Sequence, residues 1–466
     1  MSFIIYDVTF LVLFTLFVTV FLYRRRHNLK REGLLYLYRT KVGLRIIEYT
    51  SKRYARILKP LEYVVIASGY FLMALMLWFL GKFAYTYVTS PSLASELRVP
   101  VLTPLIPYID KLFAVDFLPP FYFTYWIIII AVIAIPHEFA HGIFARLNKV
   151  RIHSTGFGFL GPFLAAFVEQ NDKDMQKAKK FPQLAILAAG TFANVLMMVL
   201  FGILLWLFVA AAFVPAGVYF NTYSASVIGA AAITSINGIA LPEGSALLDT
   251  TNESLVRIEA NNYSYFIEPS RLKRTFAEGR PELIVYEDYP AVRAQLQGAI
   301  THIDDAPITS YESLREAIVA HNPGEGVIIK TNDHGIEKEY NIIFAEKDGS
   351  AFLGIGRIPF DGKGIRGLMY SFVAKIKDPL IYYESKIGDF GIFIYHLLWW
   401  TVIINASVAL VNMLPVGIFD GGRFFYLTIW GITGSQRVGM RAFKISTWAI
   451  VALVALLMLK WLVVIF

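Results

Sequence analysis

The 466-residue sequence contains no cysteine. Disulfides, thiolate metal ligands and a cysteine nucleophile are therefore excluded, and any metal must be held by His, Asp, Glu or backbone oxygen. Charge is scarce as well. Only 17% of the residues are Asp, Glu, Lys or Arg, whereas 56% are hydrophobic and the mean hydropathy is +0.54. A soluble domain carries about 25% charged and about 45–50% apolar residues. The composition excludes an ordinary soluble enzyme and suits a chain whose surface faces a lipid bilayer. The net charge of +8 does not imply nucleic acid, because the basic residues cluster beside apolar runs, where they act as orientation signals.

Six apolar runs, near 4–23, 62–88, 122–145, 183–213, 391–416 and 443–466, reach the roughly 20 residues that a helix needs to cross a bilayer. The first lacks a basic leader and a small-residue cleavage site and is followed by Arg24-Arg25-Arg26, so it reads as an anchor rather than a signal peptide. Segment 24–59 holds twelve lysines and arginines against Glu32 and Glu48, which marks it as cytoplasmic. Segment 89–121, with only Arg98 and Lys111 as basic residues, reads as outside. Segment 146–182 and the stretch after 422 are basic again. Six alternating spans then put both termini and the long region 214–390 outside. The expected fold is a polytopic α-helical membrane protein, of the cell membrane, with an inserted β-rich extracytoplasmic region.

Region 214–390 holds short apolar runs separated by turn signals such as Asn237-Gly238, Pro323-Gly324 and Asp333-His334-Gly335. Two stretches resemble each other, Ala232–Gly238 and Ala299–Asp305, each a short strand entering a polar turn. The second continues into an amphipathic helix over 311–318 and strands at Val327–Thr331 and Glu339–Phe344, an order that resembles a PDZ domain over about 281–345. One PDZ-like domain with an insertion and two copies are both compatible with the sequence. Two glycosylation sequons, Asn252-Glu253-Ser254 and Asn262-Tyr263-Ser264, agree with an outside location.

The third run ends Ile135-Pro136-His137-Glu138-Phe139-Ala140-His141. Residues i and i+4 share a helix face, so both imidazoles can reach one metal ion, and Glu138 beside them is placed to take the proton of an attacking water. Ionisable residues within a span are costly and are functional by default. A catalytic zinc site takes three protein ligands and an open position. Asp420, the only carboxylate between Asp389 and the C-terminus, lies at matching depth and is the expected third ligand.

At these residues the chain resembles the site-2 protease family of intramembrane zinc metalloproteases. That family joins HExxH on one core helix to NxxPxxxxDG on another, matched here by Asn412, Pro415, Asp420 and Gly421, and carries a GxxxN motif between them, matched by Gly190 and Asn194. The resemblance implies a catalytic core built from 122–213 and 391–466, with an N-terminal pair of spans over 1–121 and the PDZ-like insertion in 214–390. It further implies zinc on His137, His141 and Asp420, and Glu138 as general base. Asn412, with Pro415 and Asn194, would position the substrate, and Gly190 would allow close packing. The expected substrates are single-span membrane proteins, with a peptide or chain end bound at the PDZ-like region and no nucleic acid partner. Segment 156–169, apolar and glycine-rich, reads as a re-entrant or edge-strand element where an unwound substrate would dock. Three other readings are set against this one: a protease whose site lies in a cytoplasmic domain, a zinc carrier, and an inactive PDZ scaffold. Short inside loops oppose the first, and an intact HExxH opposes the other two.

Overall fold

The computed structural model describes residues 3–32, 35–89, 105–112, 118–160, 163–241, 254–333, 335–357, 371, 374 and 376–465. Arg98, Asn252 and Glu253 of the first sequon, Gly161-Pro162 and His334 lie outside the described residues. Five main helices precede the polar middle of the chain: α1 (Phe3–Arg24), α2 (Leu44–Arg53), α3 (Ala55–Thr89), α4 (Phe123–Leu147) and α5 (Lys180–Ala212). Two lie within it, α6 (Pro269–Glu278) and α7 (Tyr311–Val319). Three follow it, α8 (Gly388–Val411), α9 (Asp420–Thr433) and α10 (Gln436–Ile465). Among the described residues six helices are long and apolar enough to cross a membrane: α1, α3, α4, α5, α8 and the stretch Gln436–Leu459 of α10. The protein is an integral, multi-pass membrane protein with an inserted β-rich region. The fifth span is shorter than its apolar run suggested, because Asn412–Phe419 turns instead of continuing the helix, and a separate helix, α9, follows the turn.

Residues 1–205 and 393–466 form one compact unit. Its core joins Leu72 and Met73 of α3, Phe144 and Ala145 of α4, Ala185 and Ala188 of α5, Met413, and Phe424 of α9. Small side chains on α5 let the helices approach closely, which is how spans associate where lipid removes the hydrophobic drive. Both ends of α4 are held by carboxylates from other helices. Asp7 of α1, almost completely buried, accepts hydrogen bonds from the backbone N–H groups of Phe123 and Thr124 at 2.8 Å, from Thr124 Oγ1 at 2.6 Å and from the Tyr108 hydroxyl at 2.6 Å. It therefore caps from outside the first-turn donors that α4 cannot satisfy internally. At the other end, Asn148 follows α4 and donates to Glu62 of α3 at 2.6 Å, while Lys59 donates to the same carboxylate at 3.3 Å.

A four-stranded antiparallel sheet packs on this unit in the order β1 (Leu29–Glu32), β2 (Leu35–Thr40), β3 (Ile152–Leu160), β4 (Phe163–Gln170). The described residues of segment 156–169 thus lie on β3 and β4, which pair antiparallel, and β4 is an edge strand of the sheet. The basic segment 24–59, expected as loop, supplies β1, β2 and α2.

Residues 206–392 form the second unit. Its main elements are β5 (Phe213–Tyr219), β6 (Ala225–Gly229), β7 (Ile233–Ile236), β8 (Ile239–Ala240), β9 (Val256–Ala260), β10 (Tyr263–Ile267), β11 (Glu282–Glu287), β12 (Ala299–Ile303), β13 (Ala306–Pro307), β14 (Gly326–Asp333), β15 (Ile336–Ile343) and β16 (Ile381–Ser385), with α6 and α7. One sheet runs β6-β11-β10-β9-β7-β8. The other large sheet runs β15-β14-β12-β5-β16, with β13 paired to β12. Each has its own core, Ile236, Ile258, Leu272 and Val285 in the first, Ile300, Leu314, Ile329 and Phe344 in the second.

The two similar stretches fold alike. Asn237 and Asp304 each turn the chain at φ +49°. Their backbone N–H groups donate to Arg257 O and Ile328 O, both at 2.8 Å, and their side-chain oxygens accept from Arg257 N at 2.9 Å and Ile328 N at 2.7 Å. The region therefore holds two copies of one supersecondary unit. The expected boundary of 281–345 does not survive as a unit. Its first strand, β11, belongs to the other sheet, and β5 and β16 from outside it complete the second. Strand pairing between distant segments, invisible to a local pattern, decides this.

Candidate metal centre

His137 and His141, one turn apart on α4, turn the same way, and their Nε2 atoms lie 3.1 Å from each other. Both are buried. Each ring is held on its far side by α5. Nδ1 of His141 lies 2.7 Å from the Ile186 carbonyl, and Nδ1 of His137 lies 3.0 Å from the side-chain amide of Asn194. The Ile186 carbonyl can only accept, so it keeps the proton of His141 on Nδ1 and leaves Nε2 for a metal, while the Asn194 amide nitrogen orients the His137 ring.

Asp420 comes from a different part of the chain. Its Oδ2 lies 3.2 Å from His141 Nε2 and 3.5 Å from His137 Nε2. Asp420 opens α9, and the two glycines after it explain how. The Gly421 N–H donates to the Asn412 carbonyl at 2.8 Å, and a Cβ at Gly421 or Gly422 would overlap the backbone of Met413 or Val416. Only glycine lets the first turn of α9 lie on the turn that ends α8. Pro415 is buried in that turn, and its carbonyl accepts from Ser446 Oγ at 3.0 Å. Asn412 contributes its main-chain carbonyl here.

The three candidate ligand atoms lie within 4.8 Å of one another, and among the described residues this is the only such group of His, Asp and Glu found. A further feature shows that the space between them is reserved. A Cβ on Gly190 of α5 would stand 2.6 Å from His137 Nε2 and closer still to His141 Nε2. Two imidazoles and a carboxylate converging on a gap that even a methyl would fill make a donor set suited to zinc. The site fits the ion.

Glu138, next to His137 on α4, reaches β4. Its Oε2 accepts a hydrogen bond from the backbone N–H of Val168 on β4 at 3.0 Å. The structure thus gathers His137, His141, Asn194 and Asp420 around one point, with Glu138 beside them on α4 and held by β4. Asn194, expected to face the substrate, is fully buried, and its amide meets His137. The contacts of Gly190 with the ligands and of Val168 with Glu138 have no sequence signature of their own beyond the GxxxN spacing.

Residues 125–458 match peptidase family M50. The match covers more than half of the chain and includes every residue of the centre. The protein belongs to peptidase family M50. These are the site-2 proteases, membrane-embedded zinc metalloproteases, and in this M50 chain the His-His-Asp group can hold the metal that the family uses. No curated protein shows a significant match to the chain.

Proposed function

We propose that this M50 protein is an intramembrane zinc metalloendopeptidase that cleaves the transmembrane segments of single-span membrane proteins, with His137, His141 and Asp420 as ligands and Glu138 as general base. The observation that carries this reading is the convergence of Asp420 Oδ2 on the two Nε2 atoms of an HExxH helix. Zinc held there would supply Lewis-acid chemistry, polarising the scissile carbonyl and acidifying water. Glu138 takes the proton of the attacking water and delivers it to the leaving amine, staying within hydrogen-bond reach of both. Ile186 and Asn194 keep the imidazoles oriented.

A peptide bond in a substrate helix must unwind before it can be attacked. The open edge of β4 beside α4 suits such a segment, because an extended chain can add to a sheet edge through its main chain. Asn412, in the turn before Asp420, is the residue proposed to position the substrate carbonyl. From the distribution of basic residues we place the centre near the cytoplasmic face and residues 214–390 outside. There the two repeated units act as PDZ-like modules that bind a peptide or chain end and select substrates. Metal analysis tests the centre. The purified protein is expected to hold about one zinc, as a three-ligand site does, and His137→Ala, His141→Ala and Asp420→Ala each to lose it. Full zinc retention by the Asp420 variant would show that the third ligand is another group.

A further inference from the structure

The edge strand β4 does more than border the site. In an antiparallel ladder the N–H and C=O of one residue point to the same side, and successive residues alternate. Val168 stands opposite Thr155 of β3, yet its N–H goes to Glu138 Oε2 at 3.0 Å. Its backbone therefore faces the open edge, as do those of Ala166 and Leu164, while Phe167 faces β3. The approach of strand to helix is built in. Gly142 follows His141 on α4, and a Cβ there would stand 2.9 Å from Ile47 Cδ1 and 3.3 Å from Val168 Cγ1, so glycine is what lets β4 come this near.

We infer that the Val168 amide is a positioning group for Glu138. It holds one carboxylate oxygen and so selects the side-chain rotamer that presents the other to the attacking water. This rests on the reading of Glu138 as general base. A half-exposed glutamate on a helix otherwise samples several rotamers, and base catalysis needs the carboxylate within about 2.6–3.2 Å of the proton it takes. One consequence concerns the substrate. With the Val168 N–H engaged, a strand adding to β4 finds its main-chain donors at Leu164 and Ala166.

The test removes the N–H alone. Replacing Val168 by the corresponding α-hydroxy acid turns its amide into an ester and keeps the side chain. Val168→Pro removes the same donor genetically, at an outward-facing edge position of the kind where proline is found in sheets. Val168→Ala keeps the donor and measures what the side chain contributes. Zinc content, kcat and KM are read on a reconstituted single-span substrate. In metal-free protein, hydrogen exchange at Val168 is compared between wild type and Glu138→Ala.

The ester protein is expected to keep its zinc and its KM and to lose about 10- to 100-fold in kcat, the scale of one hydrogen bond to a charged group, and more than Val168→Ala loses. Exchange at Val168 is expected to be slow in wild type and at least about tenfold faster in Glu138→Ala, the same bond being lost, with Phe167 unchanged. Undiminished kcat in the ester protein, loss of zinc with the N–H, a rise in KM alone, or exchange at Val168 indifferent to Glu138→Ala would each overturn the inference. If Glu138→Gln cleaves normally, the general-base reading falls and this inference falls with it. If Glu138→Gln is inactive and the ester protein is fully active, only the positioning role fails.

Discussion

Gly190→Ala separates two effects that usually travel together, helix stability and site integrity. Alanine is favoured over glycine inside a helix by about 1 kcal/mol, and α5 at this point is regular helix. By propensity alone the variant would gain stability. Its new methyl, however, would stand 2.6 Å from His137 Nε2 and 2.7 Å from His137 Cε1. Ordinary contacts between such atoms begin near 3.5 Å, so the imidazole would have to retreat by the better part of an ångström. Metal–ligand distances tolerate only about 0.2 Å. His141 Nε2 is crowded by the same methyl, and both rings are tied behind by Ile186 and Asn194, which leaves them little room to withdraw. Changing a residue that merely supports a metal ligand typically costs 10–100-fold in affinity. A methyl placed between two ligands should cost at least about 100-fold, at the upper end of that range. The assay is competition for zinc against a chelator of known affinity, with thermal unfolding of the metal-free proteins in parallel. Zinc affinity should fall by much more than the stability of the metal-free variant changes, because there the propensity gain of about 1 kcal/mol offsets part of the cost of crowding the two rings. A Gly190→Ala protein that binds zinc as tightly as wild type would refute the claim that the gap between His137, His141 and Asp420 is the metal position.

Two further predictions concern the frame around the centre. Asp7→Ala should destabilise the protein by about 2–4 kcal/mol, because it strands the Phe123 and Thr124 N–H groups and the Tyr108 hydroxyl in a buried setting; a shift in detergent melting temperature measures it, and an unchanged melting temperature would contradict the capping role. A reporter fused after Lys173 should read cytoplasm and one inserted near position 252 should read outside. Both reporters on one side would mean that the span between them has been misjudged.

What the sequence made legible was local. The spans stand out because length and apolarity are properties of one contiguous stretch, and His137, Glu138 and His141 because an i, i+4 pair is fixed by helix geometry. Asp420 could be found from its isolation among apolar residues and its matching depth. The repeat at Asn237 and Asp304 was visible as a pattern, and the structure turns it into two copies with identical turn bonding. The missed features are contacts across long separations. β2 pairs with β3 more than a hundred residues later, and Val168 reaches Glu138 across 30 residues. Asn194 reaches His137 across 57. Asp7 and Glu62 were readable in principle, as lone carboxylates at the membrane-crossing helices. Their partners at the ends of α4 were not.

The central claim is that Glu138 performs chemistry at a metal it does not bind. The most direct measurement is zinc content together with cleavage of a co-reconstituted single-span substrate, for wild type and Glu138→Gln in the same liposomes. The amide keeps the shape of the carboxylate and can still accept the Val168 N–H, but it cannot take a proton, a loss typically worth about 10²–10⁴-fold. The account predicts about one zinc in both proteins, as in a three-ligand site, and cleavage by wild type only. Normal cleavage by Glu138→Gln, or loss of its zinc, would contradict it.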